Sequence, residues 1–204
     1  NTPTPAGASG RWSVRAVNKY VGAGVWPPLA LGAFESIATV TVGGGGASSI
    51  EFTSIPATYQ HLQVRGIIGD SGDATVRTLV ARLGNGSLDT GSNYRTHYLP
   101  GNGSSAYSGS TLTNAMELEN TVVGTTANTF GVFVIDILDY ANASKNTTIR
   151  VLHGADINTS GKIVVASGLW LSTSAVDTLA VGTRSAFAGT IKEHSTAALY
   201  GIKA

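Results

Sequence analysis

From Glu35 onward the chain alternates apolar and polar residues with a period of two, in runs of five to ten residues broken by turn-forming clusters. A helix places i and i+3/i+4 on one face, whereas a strand places i and i+2 there, so this pattern admits strands and excludes helices of normal length. Ile50 and Phe52 oppose Glu51 and Thr53; Leu62, Val64 and Ile68 oppose His61, Gln63 and Arg65; Leu79, Ala81 and Leu83 oppose Val80 and Arg82. Residues 37–42, rich in β-branched side chains, form a further run. More strands are expected at 94–99, 114–118, 130–138, 147–153, 162–171, 176–181 and 197–202. Gly69-Asp70-Ser71-Gly72-Asp73, Gly84-Asn85-Gly86, Gly101-Asn102-Gly103 and residues 142–146 and 158–161 supply the turns. About ten short strands at this spacing predict an all-β fold, a jelly-roll-like antiparallel β-sandwich over residues 35–204. The last run, 197–204, reads as a closing strand with no tail for a C-terminal tether. Attachment is then expected through the domain surface or the N-terminus.

Residues 1–34 are of another kind. Thr2-Pro3-Thr4-Pro5 and Val25-Trp26-Pro27-Pro28 are extended by proline stereochemistry. Between them stand Trp12, Tyr20, Arg11, Arg15 and Lys19, with a short, poorly capped helix over 13–21 as an option. Two of the three tryptophans of the chain lie here. An extended arm this aromatic either packs back on its own domain or docks on a neighbouring subunit, and Trp12, Arg15, Tyr20 and Trp26 are its candidate partner-binding residues. Burying about 250 Å² per Trp contributes on the order of 6 kcal/mol at most. Ordering an arm of about 30 residues costs more than that, so docking needs further contacts.

Only 12% of residues are charged, against about 25% in ordinary globular proteins, and the net charge is +1. That balance gives no field for nucleic acid, and no apolar run approaches the roughly 20 residues that span a bilayer. With no cysteine, disulfides and thiolate metal sites are excluded.

The candidate chemical groups are weak. Gly43-Gly44-Gly45-Gly46 lacks the Lys-Ser/Thr of a phosphate loop and lies between strands, so it is expected to be a hairpin loop. Asp136 and Asp139, three apart on a strand, point to opposite faces; one is expected outward and the other bonded into a turn. Glu117 and Glu119 share a face, but a glycosidic pair needs carboxylates about 5–10 Å apart across a cleft. Asp70 and Asp73 offer two carboxylates where calcium wants six to eight oxygens. His61, His97, His153 and His194 lack ligand spacing, with His97 and His153 expected at the sheet surface. No catalytic residue, metal or cofactor is therefore expected. The five Asn-x-Ser/Thr sequons, at Asn85, Asn102, Asn142, Asn146 and Asn158, are read as chance in a chain of this composition. Tyr94, Tyr98, Tyr107 and Tyr140 have the chemistry to stack on sugars, or to pack in core and rim.

Several segments together carry a resemblance. They are Ser-Ile-Glu-Phe-Thr-Ser-Ile-Pro at 49–56, Thr-Tyr-Gln-His-Leu-Gln-Val-Arg-Gly at 58–66, Thr-Gly-Ser-Asn-Tyr at 90–94, residues 97–99 and Gly-Asn-Gly-Ser-Ser at 101–105. Val-Ile-Asp-Ile-Leu-Asp-Tyr-Ala-Asn at 134–142, Gly-Leu-Trp at 168–170 and Leu-Tyr-Gly-Ile-Lys at 199–203 complete the set. In this order they resemble virion structural proteins and tail-fibre modules of tailed bacteriophages, over roughly residues 35–204. The resemblance implies a β-rich module on the outside of a phage particle and brings no catalytic motif. With no shaft in the sequence, a head decoration or cement protein is the expectation. It would be a homotrimer held to the major capsid protein or other virion subunits through the arm. The alternative is a lectin-like, receptor-binding module of a tail or head fibre that takes a host-surface glycan.

Overall fold

The computed structural model describes residues 11–25, 32–72, 74–158 and 160–203. It divides into two compact units, residues 1–35 and 36–204. In the first, α1 (Val14–Gly22) opens on Ser13, whose Oγ accepts the Ala16 N–H at 3.2 Å. The helix is thus capped, where the sequence suggested a poor start, and this stretch of the arm is helical rather than extended. It has no proline, and Ser13 supplies the N-cap acceptor. None of its residues is buried.

The second unit is built on strands: β1 (Phe34–Thr41), β2 (Ser49–Phe52), β3 (His61–Ile68), β4 (Val76–Asn85), β5 (Ser87–Leu88), β6 (Tyr94–Gly101) and β7 (Gly109–Thr113). There follow β8 (Met116–Val123), β9 (Gly131–Leu138), β10 (Thr147–Asp156), β11 (Gly161–Trp170), β12 (Thr178–Thr183) and β13 (Thr196–Ile202). The large sheet runs β1-β13-β3-β9-β10-β11-β6-β7; the small one runs β2-β12-β4-β5, with β8 also paired to β4. The two antiparallel sheets form the expected β-sandwich. The chain changes sheet repeatedly, with β1 to β4 alternating between the two. The closing strand β13 is an interior one, between β1 and β3.

One connection departs from expectation. Gly43–Gly46 is not a hairpin loop, because β1 and β2 belong to different sheets. The glycines carry the chain across the sandwich: Gly45 and Gly46 take φ of +96° and +76°, and a Cβ on Gly46 would stand 2.7 Å from the Ile191 carbonyl oxygen.

The core lies between the sheets. Leu62, Val64, Phe133, Ile135, Ile137, Ile149 and Val151 from the large sheet meet Ile50, Phe52, Leu79, Leu83, Met116, Leu118, Leu179 and Val181 from the small one. Strict alternation marks the large sheet, from Ile149 and Val151 inward to Thr148, Arg150 and Leu152 outward. In the small sheet, β12 and the middle of β4 are covered on both sides. Every residue of β12 is buried, and Phe187 lies against Gly182 and 4.9 Å from the Arg82 guanidinium. The two sheets therefore differ in what their outer faces meet.

Two buried polar groups tie loops to this frame. Tyr94 donates its hydroxyl to the carbonyls of Leu83 and Asp89, each at 2.9 Å. Asp70, fully buried, accepts from the Thr183 hydroxyl, from Gly72 N–H at 2.8 Å and from Arg184 at 3.3 Å, with Arg77 at 3.8 Å.

Candidate functional site

The carboxylates named by the sequence do not assemble an acid–base pair. Asp136 points outward from β9 and holds Gln63 at 2.5 Å and Arg150 at 2.7 Å. Partial burial works to raise its carboxyl, and the Gln63 hydrogen bond and Arg150 outweigh that and hold it below the usual value. Asp139 ends the strand at φ +48° and is bonded by Lys145 and Gln60. One outward and one turn-bonded Asp is the expected arrangement.

Glu117 and Glu119 depart from it. The register between β4 and β8 shifts, Val80 pairing with Glu117 but Thr78 with Asn120, and Glu119 takes φ +88°. This bulge breaks the two-residue alternation, so the pair does not share a face as the sequence predicted. Glu119 instead accepts from Lys162 Nζ and from the Tyr107 hydroxyl, both at 2.7 Å. Burial favours its neutral form, but Lys162 and Tyr107 outweigh burial and keep the carboxyl low. A carboxylate saturated in this way has no proton to trade.

Asp70 is engaged by arginines rather than open to a cation, and Asp73 lies outside the described residues. Among the described residues no three His, Asp or Glu side chains gather as metal ligands. His97 is on the outer face as expected, but His153 is not. It points inward from β10, 2% exposed, and its Nδ1 bonds Thr121 Oγ1 of β8 at 2.6 Å, across the sandwich. Alternation gives His153 the parity of Ile149 and Val151, the one signal that it is internal. Burial pushes its pKa down to about 4. Tyr94 and Tyr140 are core residues and cannot stack on sugar; Tyr107 is exposed.

Of the arm residues, Trp12, just before the Ser13 cap, meets Tyr20 of α1 edge to face at 5.7 Å, with Lys19 Nζ 5.6 Å over the Tyr20 ring. Arg15 is exposed on the same helix, and Trp26 lies outside the described residues.

The feature that alternation alone did not single out is the outer face of the large sheet. Leu99, Val132, Leu152, Ile163 and Val165 each expose half or more of their surface. The register makes them neighbours: Leu152 stands between Val134 and Val165, and Val165 beside Leu99. At one end, Phe130, Val132, Leu152 and Ile163 line a groove of about 570 Å³. Contiguous exposed apolar area of several hundred Å² marks an interaction site on a soluble protein. The signal was present in the sequence as apolar residues of outward parity, but the sequence does not say which parity faces solvent.

Comparison with known proteins yields no family model, no curated protein and no solved structure that matches this chain.

Proposed function

We propose that this chain is a non-enzymatic structural protein of a bacteriophage virion, a capsid decoration or cement protein. Its sandwich docks on neighbouring subunits through the outer face of the large sheet, and the arm at residues 1–34 anchors it. The observation that carries this reading is the bare apolar band of Leu99, Val132, Leu152, Ile163 and Val165. Water-exposed leucine and isoleucine in a contiguous band is costly unless another surface covers it. A weakly charged chain and acidic groups tied up in internal pairs support a docking role over catalysis. The virion setting rests on the resemblance of residues 35–204 to phage structural proteins. The partners are the major capsid protein or other virion subunits, at the particle surface.

A second reading, a lectin-like module for host glycan, has one observation behind it. The exposed Tyr107 ring stands beside Glu119 and Lys162, an aromatic face flanked by hydrogen-bonding groups.

The test uses particles of the phage that encodes the chain, purified on a density gradient and labelled with antibody against it. Label over the head, and at least about a tenfold loss of incorporation in a folded Val165→Asp variant, is the expected result. A chain found only in the soluble fraction overturns the virion reading, and label confined to fibre tips favours the second one.

A further inference from the structure

The outer face of the large sheet has an internal pattern that bears on what covers it. Two rows of residues run across the strands. In the first, Val134, Leu152, Val165 and Leu99 are neighbours on β9, β10, β11 and β6. In the second, Val132, Gly154, Ile163 and Gly101 take the same places. Beyond the first row β10 carries Arg150, and beyond the second it carries Asp156, both outward and exposed. Along β10 the outer face thus reads Arg150, Leu152, Gly154, Asp156, and along β6 it reads Leu99, Gly101.

These sequences are complementary to their own reversal. Consider a two-fold axis in the interface plane, crossing the strands between the two rows, at the level of His153 and Val164. It lays each strand antiparallel over its own copy. Leu152 then stands over Gly154 and Leu99 over Gly101, a projecting side chain over a gap each time, and each match is made twice by symmetry. Val165 meets Ile163, Val134 meets Val132, and Arg150 meets Asp156. Facing sheets pack about 10 Å apart and about 30° askew, so the match holds best at the centre of the patch, where β10 and β11 lie.

The glycines differ in why they are glycines. A Cβ on Gly154 would come 2.8 Å from the Lys162 carbonyl oxygen, so its own fold requires the gap. A Cβ on Gly101 would meet nothing within 4 Å, so the fold does not. The area also fits. Four strands, β9 to β6 in sheet order, from the level of Arg150 to that of Asp156, span about 19 Å by 20 Å, a footprint of roughly 400 Å² per copy. That is the size of a weak, reversible interface.

We infer that the occupant of this face is a second copy of the chain, paired through a two-fold axis that sets Leu152 over Gly154 and Leu99 over Gly101. The inference rests on the reading of the face as a docking surface, but not on the virion setting. Copies joined in this way are dimers; a trimer must use another surface.

Sedimentation equilibrium of the purified full chain, from micromolar to millimolar, reads the pairing. The wild type is expected to be a reversible dimer and Val165→Asp a monomer with an unchanged circular dichroism spectrum. Gly101→Leu, whose Cβ has open space around it, and Leu99→Ala each weaken pairing at least about tenfold. The exchange variant Leu99→Ala/Gly101→Leu restores it, because the projecting side chain and the gap have traded places. A wild type that stays monomeric, a dimer indifferent to Val165→Asp, or an exchange variant no tighter than the weaker single variant overturns the proposal. If the wild type is monomeric while Val165→Asp still drops out of particles, self-pairing fails and docking on another subunit stands. If Val165→Asp incorporates normally, this face does not dock on other virion subunits, and the pairing of copies stands or falls on the sedimentation result.

Discussion

His153 is expected to make the sandwich sensitive to mild acid. The imidazole is 2% exposed, bonded to Thr121 Oγ1 of the opposite sheet, and burial lowers its pKa from 6.5 to about 4. The Leu118 backbone and then Glu119 act to raise it, and Lys162 to lower it. Between these two values the unfolded chain binds a proton that the folded chain refuses, so stability falls as pH falls. The contribution is complete above about pH 6.5 and is lost by about pH 4, a total of about 3 kcal/mol. By pH 4.5 most of it is gone, about 2 kcal/mol, which at a urea slope of about 2 kcal/mol/M moves the unfolding midpoint by about 1 M. His153→Gln keeps a partner for Thr121 and removes the titration. Urea unfolding followed by circular dichroism at pH 7, 6, 5 and 4.5 should show the wild-type midpoint descending and the variant's nearly level. The range stops there because Asp89, Asp136 and Glu119, whose pKa values are depressed, contribute stability that is lost only as pH falls through those lower values. Parallel curves for wild type and variant would refute the reasoning, since the acid sensitivity would then lie elsewhere.

Two further substitutions probe the buried polar ties. Tyr94→Phe removes the donor to the Leu83 and Asp89 carbonyls and is expected to cost about 1–3 kcal/mol in urea unfolding, with no change in spectrum. Asp70→Ala leaves Arg77 and Arg184 without their buried counter-ion and is expected to cost about 3 kcal/mol, the lower end for a broken buried pair, because Arg184 reaches solvent. A loss below 1 kcal/mol by the same assay would mean that solvent replaces the carboxylate at this site.

Strand content was legible because alternation is a local property. Ile50 and Phe52, Leu62 and Val64, and Leu79 and Leu83 all sit on the face their spacing assigned. What failed to read through were positions whose conformation depends on a distant partner. Glu119 lost its parity to a bulge that β4 imposes through pairing. The strand β7 was missed because Gly-Ser-Thr-Leu-Thr has little apolar alternation and is held by β6 at a sheet edge. Spacing left Tyr94 and Tyr140 open either to sugar stacking or to core and rim packing, and burial was decided by the carbonyl partners each finds.

By itself the sequence determined that residues 35–204 form strands, where most of them turn, and which side chains share a face, because backbone geometry sets the two-residue period. It also set the weak charge and the lack of a catalytic motif. Tertiary packing sends Gly43–Gly46 across between the sheets, puts His153 inside, and covers β12 and the middle of β4 on both sides while leaving the outer face of the large sheet bare. The reason is physical. Alternation divides a strand into two faces, but which face is buried depends on what the rest of the chain brings against it. In the large sheet, nothing in the described sandwich covers Leu99, Leu152, Ile163 and Val165, and that bare band carries the functional reading.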